Sequence, residues 1–341
     1  MKVAIIGVGA VGTSCAKAML LRGTAEELVL VDKVEARAQG VEADLSHGAL
    51  LCPATRIRQG SYQDIGGAAV VVITAGKNEQ AGGAIDRNDS QGRLRLLPEN
   101  AKVYEDVVPK VSRAAPDAVI LVVTDPPDPL ADVARQLAGK RNKVLSTGTF
   151  LDSLRFRLQI ARRLGCHPAS VEALVVGEHG TTQVYLWSSA RVGGESVLRC
   201  AARRQLGPAR FRANVEKAVK HANIDIIEGT GASQHGIGIV TARLCEAILR
   251  DEGLVAPVGV YQPGFGVTLS MPSVIGRRGV TLVLQPGLAE DEAAALAVSA
   301  RAISAALGRI GYPRRSGAGS KGQEASMMGP VPARTRPRRA H

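Results

Sequence analysis

Short, continuously apolar runs alternate with stretches of helical spacing through the first half of the chain. These runs occupy residues 2–6, 27–31, 68–74, 118–124 and 143–147, with a weaker strand-like segment at 56–58. Continuous apolar runs are typical of parallel strands that are buried on both faces, and the intervening stretches are long enough for crossover helices. The pattern predicts an α/β fold, a Rossmann-type doubly wound parallel sheet whose ligands bind outside the carboxyl ends of the strands.

The pattern changes after Gly148, where we place a domain boundary. An amphipathic helix opens at Leu151, and the apolar run from Val171 predicts one buried strand that ends at Gly177. Further helices are expected over about 208–228 and 236–250 and up to 310, with antiparallel strands between 255 and 283. We therefore expect the parallel-sheet domain over residues 1–148 and an α+β substrate and catalytic domain over 149–312.

Residues 313–341 differ from the rest of the chain in composition. They are rich in Gly, Pro, Ser and Arg and have no apolar period, so we expect a disordered basic tail. The tail has seven basic residues and one acidic residue, and so carries +6 of the net charge of +12. It could bind nucleic acid non-specifically. Because aromatic residues make up only 3% of the chain, base stacking is disfavoured and no specific nucleic-acid partner is expected.

The cysteine pattern indicates a reducing compartment. The five cysteines are dispersed, odd in number and without C-x-x-C spacing: Cys15, Cys52, Cys166, Cys200 and Cys245. This predicts reduced thiols, with neither a disulfide framework nor a bound metal. The N-terminus has no signal-peptide pattern, and no apolar run approaches the roughly 18 residues of a spanning helix. We expect a cytoplasmic protein with no membrane partner.

A glycine-rich turn follows the first predicted strand. Gly7, Gly9 and Gly12 form a G-x-G-x-x-G motif that opens a helix, and Asp32 stands 20 residues beyond the last glycine, at the end of the second strand. This is the dinucleotide-binding fingerprint, in which the glycines permit a tight turn, approach of a pyrophosphate and close helix–strand packing. Asp32 can accept hydrogen bonds from both ribose hydroxyls and would repel a 2′-phosphate, so NAD is favoured over NADP. Glycines that serve packing alone are the alternative.

Candidate acid–base chemistry lies in the second half of the chain. His179 follows the apolar run, and a histidine titrates near neutral pH, so it could pass a proton in either direction. Asp152 and Arg155 share one helix face because they are three residues apart. A structural histidine and a surface ion pair are the respective alternatives. The polar, glycine-rich loop from Lys77 to Gly92 lies over the same sheet edge and has the length of a functional lid.

Four stretches stand in order along the chain: the glycine motif with Asp32, Gly92-Arg93-Leu94, Leu151-Asp152-Ser153-Leu154-Arg155-Phe156-Arg157 and Gly177-Glu178-His179-Gly180. Together they resemble the lactate/malate dehydrogenase family, specifically its L-2-hydroxyacid side. The resemblance extends over about residues 1–310. It implies an NAD-dependent dehydrogenase that reversibly reduces small 2-oxo monocarboxylic acids and assembles as a dimer or tetramer.

The resemblance also implies roles for individual residues. His179 would be the acid/base, with Asp152 holding its tautomer and raising its pKa. Arg155 would clamp the substrate carboxylate, Arg93 would polarise the ketone when the loop closes, and Ser233 would lie beside the substrate. The implied cofactor contacts come from the ends of the first, second, fourth and fifth strands: Gly7, Gly9, Ala10, Val11, Gly12, Asp32, Ala75, Gly76 and Thr124.

The loop departs from the family's pattern because it is longer than usual. The residue that sets substrate choice therefore does not align securely. Glu79 and Gln80 are both candidates, and we assign Gln80 to substrate binding. Members that act on oxaloacetate carry an arginine there, and Arg87 could serve only if the loop folds back. The enlarged loop makes bulkier 2-oxo acids plausible substrates alongside pyruvate.

Two further departures concern single residues. Asp125-Pro126 stands where the family has Asn-Pro, and an ionised aspartate cannot donate a hydrogen bond. We expect Asp125 either to contact the substrate with a raised pKa or to turn away and pair with an arginine or a backbone amide. Glu172 stands where members activated by fructose 1,6-bisphosphate have histidine, and a carboxylate there would repel that effector.

The sequence thus favours an NAD-dependent L-2-hydroxyacid dehydrogenase of lactate dehydrogenase type. A malate dehydrogenase is the nearest alternative. It needs a residue that binds the second carboxylate of its substrate, and Arg87 is the only obvious one. An NAD-binding homologue with impaired turnover, suggested by Asp125, is another. A third is a protein tethered to nucleic acid through its basic tail.

Overall fold

A computed structural model describes residues 1–82, 85–89 and 91–312. The predicted tail, residues 313–341, lies outside this range. All elements given below belong to the described part of the chain.

Six parallel strands form the core of the main sheet, and most of their side chains are Val, Ile, Leu or Ala. They are β1 (Lys2–Ile6), β2 (Glu27–Val31), β3 (Arg56–Gln59), β4 (Val70–Ile73), β5 (Val119–Val122) and β6 (Lys143–Ser146). Their order across the sheet is β3-β2-β1-β4-β5-β6, so the strand order reverses between β1 and β4. This doubly wound arrangement confirms the predicted fold class. It brings the carboxyl ends of β1 and β4 together at the point where such sheets bind ligands.

The crossover helices begin and end at residues suited to helix termini. They are α1 (Ala10–Arg22), α2 (Glu35–Ala49), α3 (Leu97–Ala114) and α4 (Pro127–Leu137), while α5 (Phe150–Leu164) follows β6 and leads out of the parallel sheet. Prolines occupy the first turns of α3 and α4, where a missing N–H costs no hydrogen bond. Gly23 and Gly165 end α1 and α5 in the left-handed conformation. A single-turn 3-10 helix, Gly92–Leu96, precedes α3 and carries Arg93.

The second half of the chain adds helices and short strands around the sheet and extends it. The helices are α6 (Val197–Arg203), α7 (Pro208–Thr230), α8 (His235–Leu249) and α9 (Glu290–Arg309), and another single turn spans Pro168–Ser170. The strands are β7 (Val171–Glu172), β8 (Val175–Val176), β9 (Val184–Tyr185), β10 (Arg191–Val192), β11 (Glu195–Ser196), β12 (Leu254–Gln262), β13 (Val267–Gly276) and β14 (Gly279–Val283). The antiparallel strands β12–β14 continue the main sheet beyond β6. α8 packs with α1 on one face of the sheet, while α9 lies with α3 and α4 on the other.

The apolar run before His179 is two strands rather than the single strand predicted. β7 pairs with β10 and β8 pairs with β9, in separate small sheets. Val175 faces one hydrophobic core and its neighbour Val176 faces another. Because both sides of the run are buried, its composition predicts burial correctly and cannot reveal where the pairing partner changes.

In the part of the chain that the structure describes, no helix is both long and apolar enough to cross a membrane.

Candidate active site

The turn after β1 has the shape that a dinucleotide phosphate requires. Gly7 has a φ of +90°, and a Cβ there would lie 2.7 Å from the backbone of Ala75. A Cβ on Gly12 would lie 2.0 Å from the carbonyl oxygen of Gly7, whereas no atom lies within 4 Å of a Cβ built on Gly9. Gly9 caps α1, whose first N–H groups have no intrahelical acceptors. The residues present therefore fit a pyrophosphate at a helix N-terminus.

A cavity of about 790 Å³ begins at this turn. Its size lies within the range of roughly 300–1,000 Å³ that is usual for ligand and cofactor sites. Asp32 lies on its wall, where its carboxylate accepts hydrogen bonds from the backbone N–H groups of Val8 and Val34, each at 2.9 Å. Arg37 ion-pairs with Asp32 at 3.3 Å. Among the predicted cofactor residues, those that line the cavity are Gly7, Gly9, Asp32, Ala75 and Gly76.

A smaller cleft adjoins this cavity and holds most of the other predicted residues. Thr74, Gly76 and Lys77 line both spaces, so a ligand in one borders a ligand in the other. The predicted residues that line the cleft are Val11, Gly76, Thr124, Asp125, Arg155, His179 and Ser233. Ala10 and Gly12 belong to the first turn of α1.

Three residues form a connected group at the cleft. His179 Nδ1 is hydrogen-bonded to Asp152 Oδ2, and Arg155 Nη1 donates to Asp152 Oδ1 at 3.1 Å. The side chains of Asp152 and Arg155 are 3% and 12% exposed, so the pair on α5 is buried and is not a surface ion pair. Phe156, the next residue of α5, packs edge-to-face on Trp187 and fixes this turn of the helix. With Nδ1 held by Asp152, His179 has Nε2 available to a ligand in the cleft.

The pKa of His179 is lowered overall, although Asp152 raises it as the sequence predicted. Burial lowers this pKa most, Arg93 and Arg155 lower it further, and Asp152 alone opposes them. A protonated imidazole loses hydration here and is repelled by two guanidinium groups, which together outweigh one carboxylate. Burial would raise the pKa of Asp152, but His179 and Arg155 lower it well below its ordinary value. Asp152 is therefore ionised and can hold the Nδ1 proton of the histidine.

Arg93 faces two carboxyl groups across the cleft. Its Nε lies 3.1 Å from Asp125 Oδ2 and 3.9 Å from Glu79 Oε1. Asp125 Oδ1 lies 3.7 Å from His179 Nε2. Asp125 thus pairs with an arginine and lines the cleft at the same time, which combines the two alternatives expected for it.

The pKa values of the two carboxyl groups beside Arg93 shift in opposite directions. Burial raises the pKa of Asp125 well above its ordinary value; Arg93 opposes this shift and Glu79 adds to it. Burial would also raise the pKa of Glu79, but the hydrogen bond with Asp125 and the charge of Arg93 lower it. Two carboxyl groups in contact cannot both ionise cheaply, and these shifts favour the proton on Asp125 and the charge on Glu79.

Sequence reasoning missed a buried aspartate that holds the histidine loop. Asp128 Oδ2 accepts from the backbone N–H of His179 at 2.7 Å, and Oδ1 accepts from Ser146 Oγ at 2.7 Å and from Ser270 Oγ at 3.1 Å. Burial raises the pKa of Asp128 to about 7. An acidic residue in the first turn of α4 was visible in the sequence, but its partners lie on β6, β13 and the His179 turn.

Asn100 on α3 was also missed, and it joins two strand ends. Its Nδ2 donates to the carbonyl oxygen of Asp125 at 2.7 Å, and its Oδ1 accepts from the backbone N–H of Lys77 at 2.7 Å. It fixes the start of the loop relative to Asp125. No local pattern signals this role, because both partners are distant in sequence.

The loop residues lie differently from what the sequence suggested. Gln80 is exposed and does not line the cleft, whereas Glu79 does, with Asn223 Nδ2 donating to Glu79 Oε1 at 3.1 Å. We therefore replace Gln80 by Glu79 as the loop residue that faces the cleft. Arg87 points to α7 instead, where it pairs with Asp225 at 2.7 Å and with Glu228. Glu172 is exposed on β7, opposite Arg191.

Sequence profiles of known families match both halves of the chain. The profile of the lactate/malate dehydrogenase NAD-binding domain matches residues 1–146, and that of the lactate/malate dehydrogenase alpha/beta C-terminal domain matches residues 149–309. The chain belongs to the lactate/malate dehydrogenase family. It is therefore an NAD-dependent oxidoreductase of small 2-hydroxy acids, as the sequence predicted.

Individual relatives lie on the lactate side of this family. The chain is 42% identical over 301 residues to the L-lactate dehydrogenase of Deinococcus radiodurans, which covers 88% of this chain and 96% of the relative. It is 41% identical over 318 residues to that of Thermus aquaticus, covering 92% and 100%. Among solved structures, the minor L-lactate dehydrogenase of Enterococcus mundtii superposes with a TM-score of 0.83 at 31% identity, covering 91% of this chain and 98% of that one.

Proposed function

We propose that this family member reduces 2-oxo monocarboxylic acids, pyruvate among them, to L-2-hydroxy acids with NADH. In this proposal the substrate binds at Arg155, His179 and Arg93. The observation that supports this most directly is the cleft itself. There, a buried arginine and a histidine held by Asp152 border the cavity that fits a dinucleotide. The arrangement offers a carboxylate site and a proton donor next to the cofactor.

Each residue has a distinct task in this proposal. Arg155 binds the substrate carboxylate, since its planar guanidinium presents two parallel donors. Arg93 polarises the ketone oxygen, leaving Asp125 when the substrate enters. His179 donates its Nε2 proton to that oxygen, and Asp152 stabilises the imidazolium before the transfer. Ser233 lines the cleft beside the substrate.

NADH, when bound, supplies the hydride. The protein's contribution is to orient it: Gly7, Gly9 and the start of α1 hold the pyrophosphate, and Asp32 accepts from the adenosine ribose. Thr124 donates to the carbonyl oxygen of Ala75 at 2.9 Å and so keeps two strand ends together between the two spaces.

The test is NADH oxidation with pyruvate, comparing the wild type with two variants. His179→Ala should lose roughly 10²–10⁴-fold in kcat, the usual contribution of a general acid, while NADH binding by fluorescence persists. Arg155→Lys should mainly raise KM. If both variants turn pyruvate over like the wild type, His179 and Arg155 are structural, and if the wild type is inactive with every 2-oxo acid, the proposal is wrong.

A malate dehydrogenase remains the alternative to be tested in the same assay. Arg87, the only loop arginine suggested for a second carboxylate, is committed to Asp225 and Glu228. Oxaloacetate should therefore have a lower kcat/KM than pyruvate. A higher kcat/KM for oxaloacetate would contradict this expectation.

Fructose 1,6-bisphosphate should leave the rate of pyruvate reduction unchanged, since Glu172 would repel it. Clear activation by the bisphosphate would contradict this second expectation.

We also infer a cytoplasmic location and a homo-oligomer. The location is supported by five cysteines that are all free thiols in the structure. The oligomer is supported only by the family membership, and sedimentation of the purified protein tests it.

A further inference from the structure

Two chemically different groups of residues line the cleft. Arg155 and His179 meet a carboxylate and a ketone in the proposed function, on which this inference rests. Glu79 on the loop and Asn223 on α7 line the same cleft. The Glu79 side chain is 15% exposed and Asn223 is 6% exposed, so both are largely withdrawn from solvent. A substituent on C3 of a 2-oxo acid that extends to the loop would therefore meet a partly dehydrated carboxylate.

The cations around Glu79 are already committed elsewhere. Arg93 is nearer to Asp125 than to Glu79, and in the proposed function it turns to the ketone oxygen. Lys77 lines the cleft, but its ammonium group pairs with Glu99 at 2.9 Å. Arg87 pairs with the acidic residues of α7. When substrate is bound, Glu79 keeps the amide of Asn223 as a donor.

We propose that Glu79 makes the enzyme select 2-oxo acids whose side chain carries a positive charge, such as a guanidinium group, over neutral side chains of the same shape. A cationic substituent would supply the counter-charge that Glu79 loses when Arg93 engages the ketone. A methyl group leaves that carboxylate without a counter-charge, and a second carboxylate is repelled by it. Pyruvate remains a substrate of this site, with no contact to Glu79.

The substrates that test this differ in charge and not in shape. The probes are 4-guanidino-2-oxobutanoate and 5-guanidino-2-oxopentanoate, each compared with the ureido acid of equal length, in which a neutral carbonyl replaces one amino group. The wild type should favour the guanidino acid in kcat/KM by roughly 10- to 100-fold at one of the two lengths, the contribution of one hydrogen bond to a charged group. 2-Oxohexanedioate should be the poorest of the set.

The variants assign the preference to Glu79. Glu79→Gln keeps the size of the side chain and removes its charge, so the guanidino-to-ureido ratio should fall to near one. Asp86→Asn removes the same charge from an exposed position of the same loop, and its ratio should stay that of the wild type. Because each ratio compares two substrates on one enzyme, a general loss of activity in a variant cancels.

Two results would overturn the inference. One is a wild-type ratio of one or less at both lengths, and the other is a ratio that Glu79→Gln leaves unchanged. Either result leaves the proposed function intact as long as pyruvate is reduced. A wild type that reduces none of these acids, pyruvate included, would instead overturn the proposed function.

Discussion

At the scale of single residues, the site depends on where one proton resides. Asp125 lies between Arg93 and His179, and its pKa is raised chiefly by burial and also by the charge of Glu79. In its protonated form it can donate a hydrogen bond as an asparagine does; ionised, it would hold Arg93 and repel the substrate carboxylate. His179 has a lowered pKa, and its protonated form, which donates the proton to the substrate, also declines as the pH rises. Because the protonated forms of both residues favour reduction, reduction should be fastest at mildly acidic pH.

Asp125→Asn separates these two contributions. The amide cannot ionise, so the part of the decline in kcat/KM that comes from Asp125 should disappear and only the histidine's titration should remain. At neutral pH the variant should be faster by about fivefold or less, since a partly exposed ion pair that competes for Arg93 contributes up to ~1 kcal/mol. The measurement is a pH–rate series for pyruvate reduction on both proteins. Superimposable profiles, or a variant slower at every pH, would contradict this account.

At the scale of elements, the long loop is tied to α7 at two points. Arg87 Nη2 donates to Asp225 Oδ1 at 2.7 Å and to Glu228 Oε2 at 2.6 Å, while Glu79 is bound by Asn223. Asp225 and Glu228 share a helix face because they are three residues apart. Since the loop leads into Arg93, these contacts favour the position in which Arg93 faces the cleft.

Arg87→Ala should loosen the loop. We expect KM for the 2-oxo acid to rise and kcat to fall by about two- to fivefold, a small effect because the ion pairs are exposed. NADH affinity should not change, since Arg87 does not line the cofactor cavity. The double variant Asp225→Ala, Glu228→Ala should reproduce the effect, and combining all three changes should add little to it. Additive losses would mean that Arg87 acts through other contacts.

At the scale of the whole molecule, buried carboxyl groups link stability to pH in two directions. Asp152 has a lowered pKa, so the stability it contributes is lost as the pH falls below the ordinary value near 3.8. Asp128 has its pKa raised to about 7, so its contribution is complete below that ordinary value and is lost as the pH rises to about 7. Asp128 joins α4, β6, β13 and the His179 turn, so its raised pKa exists only when these elements are packed together.

Asp128→Asn should flatten one part of this dependence. Between about pH 4 and 7 the free energy of unfolding of the wild type should fall relative to the variant by up to about 4 kcal/mol, the energy that corresponds to its pKa shift. Urea unfolding at several pH values measures the difference between the two proteins. The absolute stability of the variant is not the readout, because the amide cannot accept every bond that the carboxylate accepts. Parallel curves would show that Asp128 titrates as it does in the unfolded chain.

The sequence alone determined those features whose partners are close along the chain. The glycine turn with Asp32, the buried parallel strands and the Asp152–Arg155 helix face depend on local spacing, and the structure has all three. The same holds for the family, which follows from short motifs in order. The division at Gly148 stays a prediction, although the chain continues one sheet across it.

Only the tertiary structure decided which distant groups meet. It selected Glu79 rather than Gln80 for the cleft, turned Arg87 to α7 and placed Asp128 under His179. It also decided the net pKa shift of His179, because burial and two arginines from different elements together outweigh the expected upward effect of Asp152. Contacts between elements depend on where the folded sheet and helices bring side chains, and desolvation exists only once they are packed. Neither quantity is encoded in spacing along the chain.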